Sequence, residues 1–361
     1  MSLAEIKLNV PLTRKCPILM GPGAVTRLGD FLPETTTRAV LICDADVLRL
    51  HGDIVLEQIR GANLDPLTLP FEPGEQSKDI STVTRIRDSM FRSAINRNAL
   101  VIALGGGVAM DLAGYVASTY MRGLSLINIP TSLLADVDAG IGGKTGVNNA
   151  FGKNLIGAFH WPVAVIGDTD FLATLPPEEV RCGLAETVKA GVVADPSILA
   201  DLEGSAEALA AGTIPAPGVI QRAVHVKADV VSRDPLELGE RRVLNFGHTA
   251  GHGIEAATSF GTRHGDAVAA GMVIEGRVAV ATTGFSADDQ RRLETLLDNL
   301  GLETRPMCRF DQALPSMLRD KKGLDGVMRM ALPTRLGRMD EAGNEWVVEV
   351  PSDLVEACWN G

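Results

Sequence analysis

Two textures of hydrophobic and polar positions follow one another along this chain. Up to about residue 168, short apolar runs recur at wide intervals, at 38–43, 67–71, 99–104, 124–129 and 163–167. They are rich in Val, Ile and Leu, and several end at a polar residue or a glycine turn, as after Cys43 and Leu104. Such runs predict parallel strands buried on both faces. The stretches between them, at 24–31, 47–59 and 80–95, predict helices, and weaker strands are expected at 6–10 and 17–20. Strand and helix in alternation predict an open α/β sheet. After about residue 170 the helical period dominates, with helices expected at 178–192, 197–211, 218–231, 244–257, 266–282, 287–300 and 352–359. Short strands are expected at 328–332 and 345–350. The pattern divides the chain into an α/β domain over 1–172 and a mainly helical domain over 173–361, with the boundary near 170–175.

Composition narrows this picture. The 361 residues are 45% hydrophobic and include 38 glycines, enough for a large core with many tight turns. A net charge of −11 argues against a nucleic-acid surface, so an anionic ligand must meet a local basic cluster. Five scattered cysteines without a C-x-x-C pair suggest reduced thiols and a cytoplasmic protein. The first residues lack the charged and apolar regions of a signal peptide, and no stretch reaches about 18 consecutive apolar residues, so no membrane span is expected.

The candidate chemistry lies in four places. Gly105, Gly106 and Gly107 fall where a strand turns into a helix, which lets backbone amides approach phosphate oxygens. This is not the G-x-G-x-x-G fingerprint, and a plain tight turn fits equally well. A glycine-rich stretch at 136–148 carries Asp138 and Lys144, and Lys153 and Asn154 follow. It is not a Walker A loop, and the apolar run at 155–161 places its lysines on a packed loop. Glu186 and Lys189 stand three apart on an expected helix and share a face. Finally, residues 244–255 (LNFGHTAGHGIE) and His264 hold three of the six histidines. His248 and His252, four apart, line one wall if helical, and His264 can return to it across a loop. Three imidazoles suggest divalent metal, bound by zinc at roughly 2.0–2.1 Å. Spacing alone does not say which histidine binds metal and which moves protons.

Taken in order, these segments resemble the sugar phosphate cyclase family. The resemblance is carried by 73–78 (PGEQSK), 105–111 (GGGVAMD), 119–123 (TYMRG), 129–134 (IPTSLL), 137–148 (VDAGIGGKTGVN), 152–157 (GKNLIG), 183–189 (GLAETVK), 245–252 (NFGHTAGH) and 320–322 (DKK). It spans nearly the whole chain and is weakest over the first ~35 residues. It implies a Rossmann-like N-terminal domain and a helical C-terminal domain with the active site between them. The implied metal ligands are Glu186, His248 and His264, for zinc or cobalt, and His252 becomes a substrate contact. The implied cofactor is NAD, with Asp44 on the adenine ribose, Gly105, Gly106 and Gly107 on the pyrophosphate, and Glu75, Lys78, Asp111, Thr131, Ser132 and Asp138 around the rest. Lys144, Lys153, Asn154, Lys189, Lys227, Arg241, Asn245, His252 and Lys321, preferred over Lys322, would line the substrate pocket. Arg122 would reach it across a homodimer interface.

The activity so implied is a phosphate-eliminating carbon–oxygen lyase that closes a carbocycle from a phosphorylated sugar acid. Met110, Gly253 and Pro235 depart from the usual pattern without touching a named position, which leaves room for a specialised cyclase of secondary metabolism. A polyol dehydrogenase would share the architecture but would not need the lysine cluster. A noncatalytic NAD-binding descendant would not need an intact Glu186, His248 and His264.

Overall fold

The computed structural model describes residues 15–318 and 327–361. The expected strand at 6–10 and the Asp320-Lys321-Lys322 segment lie outside the described residues.

The first half is an open sheet. Its elements run β1 (Ile18–Gly21), β2 (Ala39–Asp44), α1 (Ala45–Gly61), β3 (Pro66–Phe71), α2 (Ile80–Arg92), β4 (Leu100–Gly105), α3 (Gly107–Thr119), β5 (Ser125–Pro130), β6 (Lys144–Asn149), β7 (Gly152–Phe159) and β8 (Ala164–Asp168). Six strands form one parallel sheet in the order β1-β8-β5-β4-β2-β3. Every residue of β4 and the first five of β2 are buried, because helices cover both faces of a parallel sheet. That is why these strands are legible as unbroken apolar runs. From β2 the chain goes to the edge strand β3 and then returns to β4 on the other side of β2. This reversal opens a crevice at the carboxyl ends of β2 and β4, the usual ligand position of such sheets.

The second half is helical: α4 (Pro177–Val193), α5 (Pro196–Glu203), α6 (Ala206–Ala210), α7 (Pro217–Arg233), α8 (His248–Ala257), α9 (His264–Thr282), α10 (Ala287–Asn299) and α11 (Phe310–Met317). Short strands β9 (Val327–Met330), β10 (Pro333–Arg335), β11 (Arg338–Met339) and β12 (Val348–Pro351) precede α12 (Ser352–Asn360). Among the described residues no helix is long and apolar enough to cross a membrane. The two halves share a core: Leu133, Val137 and Ile141, beyond β5, pack with Leu184, Val188, Val230, Val243 and Val268.

Several boundaries differ from the sequence reading, each for a local reason. The helix expected at 80–95 ends at Arg92, because the chain turns into a left-handed residue at Ala94 (φ 52°). The helix expected at 197–211 breaks into α5 and α6 at Gly204. The helix expected at 244–257 is a 3₁₀ turn, Glu240–Asn245, followed by α8 from His248. Gly247 makes that break with φ 79°, and a Cβ there would lie 2.5 Å from Met272 Cγ, so only glycine fits. The glycine-rich stretch is not a packed loop. Ala135–Ala139 is a π-helical turn, and β6 and β7 form an antiparallel hairpin with Phe151 and Leu155 exposed.

Candidate active site

The crevice at β2 and β4 has a floor of glycine. Gly105 has φ 149°, and a Cβ on it would lie 2.7 Å from Ala109 Cβ and 3.8 Å from Asp44 Cβ. A Cβ on Gly106 would come 3.3 Å from Ser132 Oγ, and one on Gly107 would come 3.3 Å from Ala139 Cβ. Thr131 N donates to Gly105 O at 2.9 Å. Thus a side chain on any of the three glycines would press on Ala109, Ser132 or Ala139, and Asp44 and Thr131 stand at the same turn. The first turn of α3 opens there without a side-chain cap, leaving amide donors for an anion. Lys78 reaches Asp111 at 2.5 Å, and Asn148 of the hairpin donates to Glu75 Oε1 at 2.7 Å.

The second cluster stands on helix beginnings. His248 is the first residue of α8, and His264 is the first of α9. Their Nε2 atoms lie 3.4 and 3.3 Å from the same oxygen, Oε1 of Glu186 on α4. One atom from each residue falls within 4.8 Å of the others. Neither buried Glu186 oxygen has a well-formed hydrogen bond, although Lys189 Nζ sits in ion-pair contact with Oε2. The His248 Nδ1 lies 3.2 Å from Phe246 O, and this contact directs its Nε2 towards Glu186. Burial, reinforced by the Lys189 charge, pushes His248 down to about 3, so it stays the neutral base a metal requires. Burial opposes charge on His264 as well, but Glu186 and Glu255 outweigh it and lift this imidazole to about 10, so a metal bound here would displace its Nε2 proton. A carboxylate and two imidazoles converging in this way fit a divalent ion of the zinc type. The three-histidine site suggested by spacing is corrected here: a carboxylate from α4 completes the triad. The His252 ring stacks edge-on to His248, with centroids 5.2 Å apart.

The third cluster is cationic. Lys189 and Lys227 both contact Asp138 on the π-helical turn, Lys189 at 3.7 Å. Against burial, the two ammonium groups hold Asp138 down at about 2. Burial brings Lys227 down to about 8 despite Asp138. Lys144 meets Glu237 at 2.5 Å, Asn245 Nδ2 donates to Glu237 Oε1 at 3.0 Å, and Lys153 meets Glu255 at 3.0 Å. Asn154 N donates to Asn148 Oδ1 at 3.0 Å. Arg241 is only 2% exposed, with Nη1 donating to Pro235 O at 2.8 Å and Nη2 to Gly142 O at 3.0 Å. Its position is therefore fixed by two loops, with other N–H groups left over.

The structure thus pairs Lys189 with Glu186 directly, joins Lys189 to Lys227 through Asp138, and ties Lys144 to Asn245 and Lys153 to His264 through Glu237 and Glu255. Arg122 lies on the exposed turn after α3 with φ 70° and joins none of these ion pairs among the described residues. Three carboxylates at the site escape the sequence reading. Glu237 sits in a left-handed loop with no periodic signal. Glu255 is three residues beyond His252, a spacing that would have marked it. Glu275 caps α8 from α9, accepting from Gly247 N at 2.7 Å and Ala250 N at 3.0 Å, and only the tertiary packing reveals it.

Comparison with known proteins places the chain in a family. The model of the 3-dehydroquinate synthase N-terminal region matches residues 68–182, and that of the C-terminal region matches residues 183–323. A 3-dehydroquinate synthase of Symbiobacterium thermophilum is 41% identical over 335 residues, covering 90% of this chain and 92% of that one. Among solved structures, 2-epi-5-epi-valiolone synthase from Streptomyces hygroscopicus subsp. jinggangensis 5008, with NAD+ and Zn2+ bound, superposes with a TM-score of 0.86 at 28% identity over 98% of each chain. A 2-deoxy-scyllo-inosose synthase complexed with carbaglucose-6-phosphate, NAD+ and Co2+ gives 0.85 at 26% identity, over 95% of this chain and 96% of that one. The expected fold class, a Rossmann-like sheet followed by a helical half, holds. The chain belongs to the 3-dehydroquinate synthase family.

Proposed function

We propose that this chain converts 3-deoxy-D-arabino-heptulosonate 7-phosphate to 3-dehydroquinate and phosphate, a step of the shikimate pathway. The observation that carries the reading is the convergence of three clusters: a glycine-floored crevice, a Glu186/His248/His264 triad and a set of buried lysines. The crevice fits NAD. Asp44 would take the adenine ribose, and Gly105, Gly106 and Gly107 the pyrophosphate. Glu75, Lys78, Asp111, Thr131, Ser132 and Asp138 would line the remainder. The triad fits zinc or cobalt. When bound, NAD supplies reversible hydride transfer, and the metal supplies Lewis-acid polarisation of the oxygen being oxidised.

The chain's own residues do the rest. Lys144, Lys153, Asn154, Lys189, Lys227, Asn245 and His252 line a pocket of positive charge within an acidic protein, suited to a substrate with a phosphate and a carboxylate. The free N–H groups of Arg241 face the carboxylate. Fixing the substrate in this way lets oxidation, elimination, re-reduction and ring closure proceed with little further help. NAD would be neither consumed nor produced overall, and the net change would be loss of phosphate with ring closure. Lys321, outside the described residues, is assigned to the substrate on the family resemblance. Arg122 acts in the partner's site, so the protein works as a homodimer in the cytoplasm. The functional boundary falls at 172/173, with the nucleotide on one side and the metal on the other.

Incubation with NAD, zinc and either the acid or sedoheptulose 7-phosphate tests this. Phosphate release and the product mass of 3-dehydroquinate are expected with the acid alone. Turnover of sedoheptulose 7-phosphate and none of the acid would overturn it. A cyclase of secondary metabolism, such as an aminodehydroquinate synthase, is the second reading. The cyclase neighbours, at 26% and 28% identity, stand further from this chain than the 3-dehydroquinate synthase of Symbiobacterium thermophilum at 41%.

A further inference from the structure

His248 and His264 solve the same problem in different ways. Each must hold its ring so that Nε2 points at Glu186. His248 does so through the backbone, with Nδ1 on Phe246 O. His264, as the first residue of α9, follows an extended Arg263, and a carboxylate stands opposite its Nδ1 instead. Glu255 Oε2 lies 3.5 Å from that nitrogen, on the ring edge away from Glu186. Glu255 is 3% exposed, and its other oxygen, Oε1, accepts from Lys153 Nζ at 3.0 Å. Lys153 arrives from β7 of the hairpin and rests on the Phe260 ring, 4.3 Å from its centroid.

We propose that Glu255 is a positioning residue for the metal centre, fixing the orientation and tautomer of His264 while tying the β6–β7 hairpin to it through Lys153. A carboxylate on the second nitrogen of a metal-bound imidazole raises its basicity and locks its rotation. Glu255 is not itself a ligand, because it meets the nitrogen that points away from the triad. The hairpin and the metal are therefore coupled: an ion that tightens His264 tightens the hairpin, and the reverse holds by linkage. This rests on the reading of Glu186, His248 and His264 as metal ligands.

The test measures zinc affinity by chelator competition, the visible spectrum of the cobalt-loaded protein, and amide exchange over residues 144–159 with and without zinc. Glu255→Gln should lower zinc affinity by roughly 10–100-fold and shift the cobalt spectrum. Its metal-free melting temperature reports whether it folds. If it does not fold, Glu255→Asp, which keeps the charge, is read in the same way and should retain more affinity than loss of a ligand would leave. Lys153→Met should lose the zinc-dependent protection of the hairpin and, by the same linkage, lower zinc affinity by less than Glu255→Gln does. Zinc affinity of folded Glu255→Gln within about twofold of wild type, with an unchanged cobalt spectrum, overturns the proposal. His248→Ala is the control: if it binds zinc like wild type, the ligand assignment has failed. If it loses zinc while Glu255→Gln does not, only the role of Glu255 has failed.

Discussion

His252 and Glu186 show what one residue's surroundings decide. Both flank the metal centre, but the triad geometry joins Glu186, with His248 and His264 at 3.4 and 3.3 Å from its Oε1. Glu186→Ala and His248→Ala should each lose stoichiometric metal and turnover, whereas His252→Ala should retain metal and lose rate. Metal analysis of the purified variants decides, and a metal-free His252→Ala would contradict the assignment. Asp136 raises a different question. It is 0% exposed, and neither carboxylate oxygen has a hydrogen-bond partner among the described residues. Burial, with the charge of Asp168 beside it, lifts its pKa well above the usual carboxylate range. The native state then keeps a proton that the unfolded chain gives up, so the contribution of this group to stability is greatest below the ordinary aspartate pKa. It falls as pH rises towards the raised native value, by up to about 1.4 kcal/mol per pH unit. Asp136→Asn should flatten that decline, as melting curves of both proteins between about pH 5 and about pH 9 would show. Equal slopes would mean that Asp136 is already ionised in the native protein.

At the scale of elements, the site depends on how helices begin. The turn that presents His248 has a glycine N-cap and no side-chain cap of its own. Glu275, buried on α9, takes over that function by accepting from Gly247 N and Ala250 N. Glu275→Ala leaves two buried donors without that acceptor and should cost about 2–4 kcal/mol. It should also weaken zinc binding, because His248 loses its fixed starting turn. Glu275→Gln should cost less, since one acceptor oxygen remains. Thermal unfolding and zinc titration of the two variants test this, and an alanine variant as stable as wild type would show that the cap is not needed. The strands around this site were readable because burial on both faces leaves little place for polar residues. The β6–β7 hairpin was not, since its glycine-rich sequence and exposed Phe151 and Leu155 lack the alternation of a half-buried strand.

At the scale of the whole molecule, Arg122 stands apart from the clusters that the described residues build. It is exposed on a left-handed turn and joins none of the site's ion pairs among the described residues. The role proposed for it in a neighbouring copy is consistent with both facts. Mixing inactive Arg122→Ala with inactive Lys189→Ala, under conditions that exchange subunits, should restore about a quarter of wild-type turnover, since half the dimers are mixed and one of their two sites is intact. No recovery despite demonstrated exchange, or a fully active monomer in sedimentation, would count against it. The α/β-then-helical order of the chain followed from its sequence alone, because the periods of buried strands and amphipathic helices are local properties. Local spacing also paired Glu186 with Lys189 on one helix and marked the glycine turn after β4. Which groups share the metal site was a tertiary matter: Glu186 precedes His248 by a long stretch of chain, and spacing within one helix favoured His252 instead. Glu237, Glu255 and Glu275 became functional candidates only when folding set them opposite Lys144, His264 and the start of α8. A carboxylate's role depends on the charge or donor it meets, and in these cases the partner comes from elsewhere in the fold.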